Sequence, residues 1–457
     1  MSTFYEELDI SGRIHIMKDI HISILGGGLA GLSVGYYAVK NGVPLTIHEA
    51  NDQPGGNSVT FRHGDFLFDS GAHRFHDKDD EITEEVKGLV GKNLKRINIP
   101  SLIYHSGKSI DFPLSPLNLM RNLGLSTLAR AAGEVIVSKI RDRSEFRSFG
   151  DFATRTYGNT IASLFLLNYS EKLWGRPCSE LSVRISGKRL KGLDIRAFFS
   201  GAIFRRNAKA GHMEGSFYYP AGGIGTISKK MAELCGEGNI MTNSKISRII
   251  HDCRRIEAIE VNGKELIPTK EVVSTLPLNT FLQLMDPLPP DDIMDCSRGL
   301  RFRNVILVAL FLNRESVTSS ATVYFPSVEF PFTRIYEPKN RSACMSPPGK
   351  TSLVAEIPCQ PEDALWGTDD NQLTFLIRSH LMRIGWIKEE EIIGSAVKRM
   401  RYAYPILETG TGEKVRRIYD FLHNFNNLKV SGRNGKFVYA WIHDMMSFGK
   451  EIISDYL

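Results

Sequence analysis

Residues 21–49 read HISILGGGLAGLSVGYYAVKNGVPLTIHE and hold every part of a dinucleotide-binding βαβ unit in order. A short apolar strand, Ile22 to Leu25, runs into the G-x-G-x-x-G formed by Gly26, Gly28 and Gly31. The first glycine permits the tight turn, the second lets the backbone approach a pyrophosphate, and the third lets the next helix lie close to the strand. That helix, Gly31 to Lys40, aims its N-terminal amides at the anion, with Leu29 and Ala30 in its entry turn. Gly42 ends it, Pro44 to Ile47 supplies the second strand, and Glu49 stands at the acidic terminus about 20 residues beyond the glycines. There its carboxylate suits a ribose 2′-hydroxyl, which favours FAD or NAD over NADP.

The next residues select FAD. Ala50 leads into a run containing Gly55, Gly56 and Asn57, which resembles the extended flavin fingerprint in which paired glycines return over the FAD phosphates. Phe68-Asp69-Ser70-Gly71-Ala72-His73 resembles the segment that passes along the isoalloxazine in flavin amine oxidases. The candidate FAD contacts are therefore Gly26, Gly28, Leu29, Ala30, Gly31, Glu49, Ala50, Gly55, Gly56, Asn57, Gly71 and His73, with Gly432 and Arg433 near the C-terminus.

The 457-residue chain is too long for one small core, so two units are expected. Its composition, 42% hydrophobic and 24% charged, is that of an ordinary globular protein. No apolar run reaches the ~18 residues of a membrane span, and the acidic start is unlike a secretory signal. The six cysteines show neither a C-x-x-C pair nor metal-ligand spacing, so a cytoplasmic protein without a metal site is expected. A basic run between Arg184 and Lys209 lacks interleaved aromatics, which disfavours nucleic acid. A phosphate-bearing small molecule needs only one or two of those arginines.

The flavin elements are scattered, which implies an α/β fold with a Rossmann-type FAD-binding domain interleaved with a second, α+β substrate domain. The FAD-binding parts are expected at 19–99, 215–277 and 426–457, and the substrate parts at 100–214 and 278–425. Within the latter, single helices are predicted over Leu117 to Ile140 and Asp151 to Leu173. Strands are predicted at Val305 to Leu312, Thr322 to Phe325, Thr333 to Tyr336 and Leu353 to Ile357. Asn262-Gly263 marks a hairpin turn.

Several segments resemble UDP-galactopyranose mutases. They are Tyr169-Ser170-Glu171-Lys172-Leu173-Trp174-Gly175, Glu180-Leu181, Lys188-Arg189, His73-Arg74-Phe75-His76, Phe332-Thr333-Arg334-Ile335, Tyr404-Pro405-Ile406 and Gly432-Arg433 with Tyr439. The resemblance implies a nucleotide-sugar pyranose/furanose mutase in which N5 of reduced FAD is the covalent catalyst. It makes Arg189 and Arg334 the grips on the substrate diphosphate. Trp174 packs on nucleotide or sugar, Tyr404 and Tyr439 donate hydroxyls to phosphate, and His73 contacts the flavin edge. His76 is a weaker candidate. One position departs: where the mutases keep an aspartate two residues after the tyrosine matched by Tyr439, this chain has Trp441, with His443 and Asp444 as possible substitutes. The same superfamily holds amine oxidases, protoporphyrinogen oxidases and desaturase-like enzymes. A second reading is therefore an oxidoreductase taking hydride from an amine, porphyrinogen, polyene or sugar. A third is a non-enzymatic binder, as in the Rab GDP-dissociation inhibitors, against which the intact glycines and Glu49 argue.

Overall fold

The computed structural model describes residues 20–112, 116–141, 145–186 and 216–457. Ile22–Leu25 is the centre of a five-stranded parallel sheet ordered Leu428–Val430, Glu271–Ser274, Ile22–Leu25, Leu45–His48, Ile240–Met241. Buried on both faces, the central strands carry near-continuous apolar side chains, as parallel strands must. Three distant stretches of chain thus meet in one sheet, and the turns at the strands' carboxyl ends converge. The helix Leu29–Lys40 covers one face and packs against Gly225–Cys235 and Ile442–Ser454. Gly31 decides how close it lies. A Cβ there would stand 1.9 Å from the Gly26 carbonyl oxygen, inside any non-bonded contact, so only glycine allows this approach.

Asp69 locks together the segments around the paired-glycine turn. Its fully buried carboxylate accepts from the Tyr219 hydroxyl at 2.5 Å, Thr60 Oγ1 at 2.7 Å and the Ile224 amide at 3.0 Å. Burial raises its pKa, and those donors oppose the rise.

The chain between the sheet's pieces builds a mixed seven-stranded sheet ordered Ile392–Pro405, Phe302–Leu312, Thr351–Cys359, Arg334–Tyr336, Thr322–Tyr324, Ser101–His105, Lys108–Phe112. A separate four-stranded sheet holds the expected hairpin, with Asn262 (φ 56°) and Gly263 (φ 67°) in its turn. Its strand Ile246–His251 also pairs with Met285–Asp286.

Two of the predicted helices are subdivided. The first becomes Pro116–Leu123 and Leu125–Arg141, parted by Gly124 at φ 82°. The second runs as Phe149–Ile161, a π-wound Ala162–Leu167, and Asn168–Trp174, with a non-helical Gly158 inside the first part. Side-chain periodicity is blind to both interruptions because apolar positions continue through them. Ile392–Pro405 had no strand prediction. It is an edge strand bearing Lys398, Arg399 and Arg401, charges that protect an open edge and break the apolar alternation. Among the described residues no helix is long and apolar enough to cross a membrane.

Candidate functional site

The glycine turns form a cradle of backbone. Gly28 bridges to Gly55, the Gly55 amide donates to Gly27 O at 2.8 Å, and a Cβ on Gly56 would lie 3.0 Å from Gly28 Cα. Gly28 caps the helix Leu29–Lys40 without a side chain, which leaves the helix's first-turn amides to an incoming anion. Leu29 and Ala30 are buried in that turn, and Gly432 lies against Ala30. Glu49 is buried at the strand end. Its carboxylate accepts from the Gly27 amide at 2.8 Å, the Asn51 backbone amide at 2.9 Å and the Asn51 side-chain amide at 2.5 Å, beside exposed Ala50. A carboxylate has about four lone-pair sites, so acceptor capacity remains for a ribose hydroxyl. Ser58 Oγ, in the paired-glycine turn, is buried without a hydrogen-bond partner. A bare backbone cradle, an uncapped helix start, a held acid and an orphaned hydroxyl fit FAD. Asn57 has another task besides: its amide donates to the carbonyls of Arg401 and Tyr402 at 3.0 and 3.2 Å, tying the glycine turn to the edge strand.

From the cradle, Gly71-Ala72-His73 leads to the second cluster. The Ala72 amide donates to Glu356 Oε1 at 2.5 Å, and the other carboxylate oxygen takes Arg334 Nε at 2.5 Å. Arg334 and Glu356 face each other as partners on adjacent strands. Arg334 Nη2 then donates to the Tyr404 hydroxyl at 3.0 Å. The Trp174 indole packs edge-on to both Tyr404 (5.9 Å between centroids) and Tyr439 (6.0 Å). The two tyrosine rings stack on each other at 6.2 Å. The register of the sheet and the C-terminal turn thus gather Arg334, Tyr404, Tyr439, Trp174 and the His73 segment. Arg189 lies outside the described residues, as do Lys188 and most of the basic run.

Burial disfavours the Arg334 charge, but the Glu356 carboxylate together with Tyr404, Tyr169 and Tyr324 outweighs it and holds the guanidinium's pKa well above its ordinary value. Burial raises the Tyr404 hydroxyl, which therefore stays a proton donor, against the pull of Arg334. Burial, then the guanidinium groups of Arg433, Arg334 and Arg341, push His73 down to about 3, so its imidazole is neutral. The unfolded chain titrates near 6.5. Between those values it binds a proton that the folded chain refuses, so stability drops as pH falls through the window, by at most ~1.4 kcal/mol per pH unit. His73→Asn is expected to flatten this decline in urea midpoints measured from pH 7 to pH 5. Parallel curves for the two proteins would exclude His73 as its source.

Arg433 sits between the tyrosines, 5.5 Å from the Tyr404 ring and 5.7 Å from that of Tyr439. Its donors go to the carbonyls of Ala403 (3.0 Å) and Ala440 (2.9 Å from Nε). Trp441 continues the aromatic wall, with Tyr439 and His76 each 6.3 Å away and the Lys78 ammonium 3.6 Å from its ring centroid. Asp444 caps the helix Ile442–Ser454, accepting from the Trp441 amide at 2.8 Å, and His443 is buried beside it. Both residues belong to the helix start that follows Trp441. A cavity of about 640 Å³ opens beside Tyr439, lined by Arg184, Arg416 and Lys436 together with Glu408 and Glu413.

Two site residues escaped the sequence reading, and so did the role of a third, Lys172. Glu356 was legible as a lone acid inside an apolar strand, which signals a buried partner. Arg303, at the start of its strand, donates to the Lys172, Leu173 and Pro358 carbonyls and blocks any side chain at Gly175, whose Cβ would meet Nη1 at 2.6 Å. With Gly175 at φ 67°, this explains the glycine after Trp174. Lys172 stands in the Tyr169–Gly175 segment read from the sequence, but nothing local marked its reach to a distant turn.

The chain has full-length relatives at low identity. It is 19% identical to the coproporphyrinogen III oxidase of Bacillus subtilis (strain 168), over 96% of this chain and 98% of that protein. It is 21% identical to the mitochondrial protoporphyrinogen oxidase of Nicotiana tabacum, over 52% of each chain, and so spans about half of that protein. The structure superposes on reduced UDP-galactopyranose mutase with a TM-score of 0.84 at 19% identity, covering 96% of this chain and 93% of that one. Residues 29–407 match the model of the flavin containing amine oxidoreductases. That span runs from the first turn of the dinucleotide helix to just past Tyr404, and it includes Glu49, His73, Arg334 and Glu356. The chain therefore belongs to the flavin containing amine oxidoreductase family, and is an enzyme with FAD as its cofactor.

Proposed function

We propose that this flavoenzyme is a nucleotide-sugar pyranose/furanose mutase. The observation that carries the reading is the Arg334 guanidinium, locked by Glu356 and joined to the Tyr404 hydroxyl inside the Trp174, Tyr404 and Tyr439 enclosure. A buried cation with phenolic donors suits a diphosphate: it repels a cationic amine, and a polyene would leave those polar groups unpaired. Reduced FAD supplies the nucleophile when bound. The chain's own residues hold the leaving diphosphate, orient the sugar and exclude water. Arg334, Tyr404 and Tyr439 take the diphosphate with Arg189, Trp174 packs on the ligand, and neutral His73 stands at the flavin edge. Gly26, Gly28, Leu29, Ala30, Gly31, Glu49, Ala50, Gly55, Gly56, Asn57, Gly71, Gly432 and Arg433 would hold FAD. The FAD-binding domain takes residues 19–99, 215–277 and 426–457, and the substrate domain 100–214 and 278–425.

A second reading, porphyrinogen oxidation, is favoured by Trp441 with Lys78 above it. A flat aromatic beside an ammonium suits a carboxylate-bearing tetrapyrrole, and the named relatives are porphyrinogen oxidases. The deciding experiment is anaerobic. Dithionite-reduced enzyme is given UDP-galactopyranose and a panel of other nucleotide sugars, with oxidised enzyme as control, and products are separated by chromatography. A ring isomer formed only with reduced flavin supports the mutase and identifies the sugar. Bound flavin with no product across the panel sinks it and turns the search to coproporphyrinogen III under oxygen.

A further inference from the structure

Lys172 lies on the helix Asn168–Trp174, and its amine reaches the turn between the strands Thr322–Tyr324 and Arg334–Tyr336. Nζ donates there to the carbonyls of Phe325 at 2.5 Å, Ser327 at 2.7 Å and Phe330 at 3.1 Å. The backbone of the same helix end is held from the opposite direction, because Arg303 donates to the Lys172 and Leu173 carbonyls. The segment that presents Trp174 is therefore fixed by Arg303, and the turn leading into Arg334 hangs on that segment by one amine. The turn is packed by buried Phe325, Phe330 and Phe332, so the grip of Lys172 ties the helix that carries Trp174 to the strand that carries Arg334.

We propose that Lys172 is a positioning residue for the nucleotide diphosphate, setting Arg334 against Trp174 by its grip on the 325–330 turn, and that it grips fully only when protonated. The inference rests on the diphosphate reading of the Arg334 cluster. An ammonium has three N–H groups for three carbonyls. A neutral amine has two, and its lone pair would face the third oxygen. Burial pulls the amine down toward about 7, while Glu329 on the turn favours the charge. The other groups facing it are His380, on the helix Asp370–Arg383, and Arg383 of the same helix. Burial and Arg383 hold His380 below its ordinary value, so it is neutral above pH 7. Lys172 is then the member of this group that changes charge on the alkaline side.

The test titrates the FAD-loaded protein with UDP by calorimetry from pH 7 to about 9.5, for the wild type, Lys172→Met and Lys172→Arg. At pH 7, Lys172→Met is expected to bind UDP about 10- to 100-fold more weakly, with FAD content and flavin spectrum unchanged. Wild-type affinity is expected to fall with rising pH toward the methionine variant, and the permanently charged arginine variant to show a flat profile. Equal UDP affinity in wild type and Lys172→Met would overturn the proposal and leave the diphosphate site standing. A wild-type protein that binds no UDP at any pH removes the diphosphate reading itself. If Lys172→Met does not fold, the wild-type profile decides, because an affinity independent of pH across this range overturns the proposal.

Discussion

Arg334→Met is expected to abolish UDP binding and to destabilise the protein by about 3–5 kcal/mol. The two effects share a cause. Glu356 is 2% exposed and, among the described residues, accepts from Arg334 and the Ala72 amide, so removing the guanidinium leaves a buried carboxylate without its charged partner. The Tyr404 hydroxyl loses its neighbour at the same time. The carboxylate's position also sets the Gly71-Ala72-His73 segment, so slackness passes to the flavin edge. Urea denaturation and calorimetric titration with UDP measure the two losses separately. Arg334→Met combined with Glu356→Gln should recover much of the stability, because the uncompensated charge is gone, and none of the affinity. A single variant that unfolds at the wild-type urea midpoint would refute the buried-pair account.

Asp69→Ala is expected to yield protein that does not retain FAD, with a loss of about 3 kcal/mol or more. The carboxylate is the common acceptor for Thr60 of the hairpin after the paired glycines, Tyr219 of the strand Phe217–Pro220, and the amide opening the helix Gly225–Cys235. Alanine orphans all three donors in a space with no exposure, and the pieces forming the flavin cradle are no longer held in relation. Asp69→Asn retains one acceptor oxygen and should fall between. Flavin absorbance per protein after gel filtration, with the urea midpoint, reads the result. A full flavin complement in Asp69→Ala would show that the cradle assembles without this junction.

Local rules carry the part of the site that binds the cofactor. Glycine spacing, an acid at a strand end and a small-residue helix start act through backbone geometry, which depends on neighbours a few residues away, so residues 21–49 read correctly in isolation. The Asn-Gly hairpin is legible for the same reason. The substrate side is different. Its helices broke at Gly124 and Gly158, and its long edge strand was hidden by charges that an edge requires and a central strand forbids.

The sequence by itself determined the dinucleotide unit, the flavin fingerprint and the identity of the aromatic and arginine candidates, because each is marked by residue type at short spacing. Only the tertiary structure decided what holds Arg334. Its partner Glu356, the Arg303 brace behind Gly175 and the Lys172 grip on the 325–330 turn are pairings between distant segments. Sheet register creates the first, since Arg334 and Glu356 are opposite one another on neighbouring strands. The same folding makes Asp444 the cap of the helix that follows Trp441. A buried charge is tolerated only where a partner arrives, and that arrival is a property of the assembled sheet rather than of the residues near it in the chain.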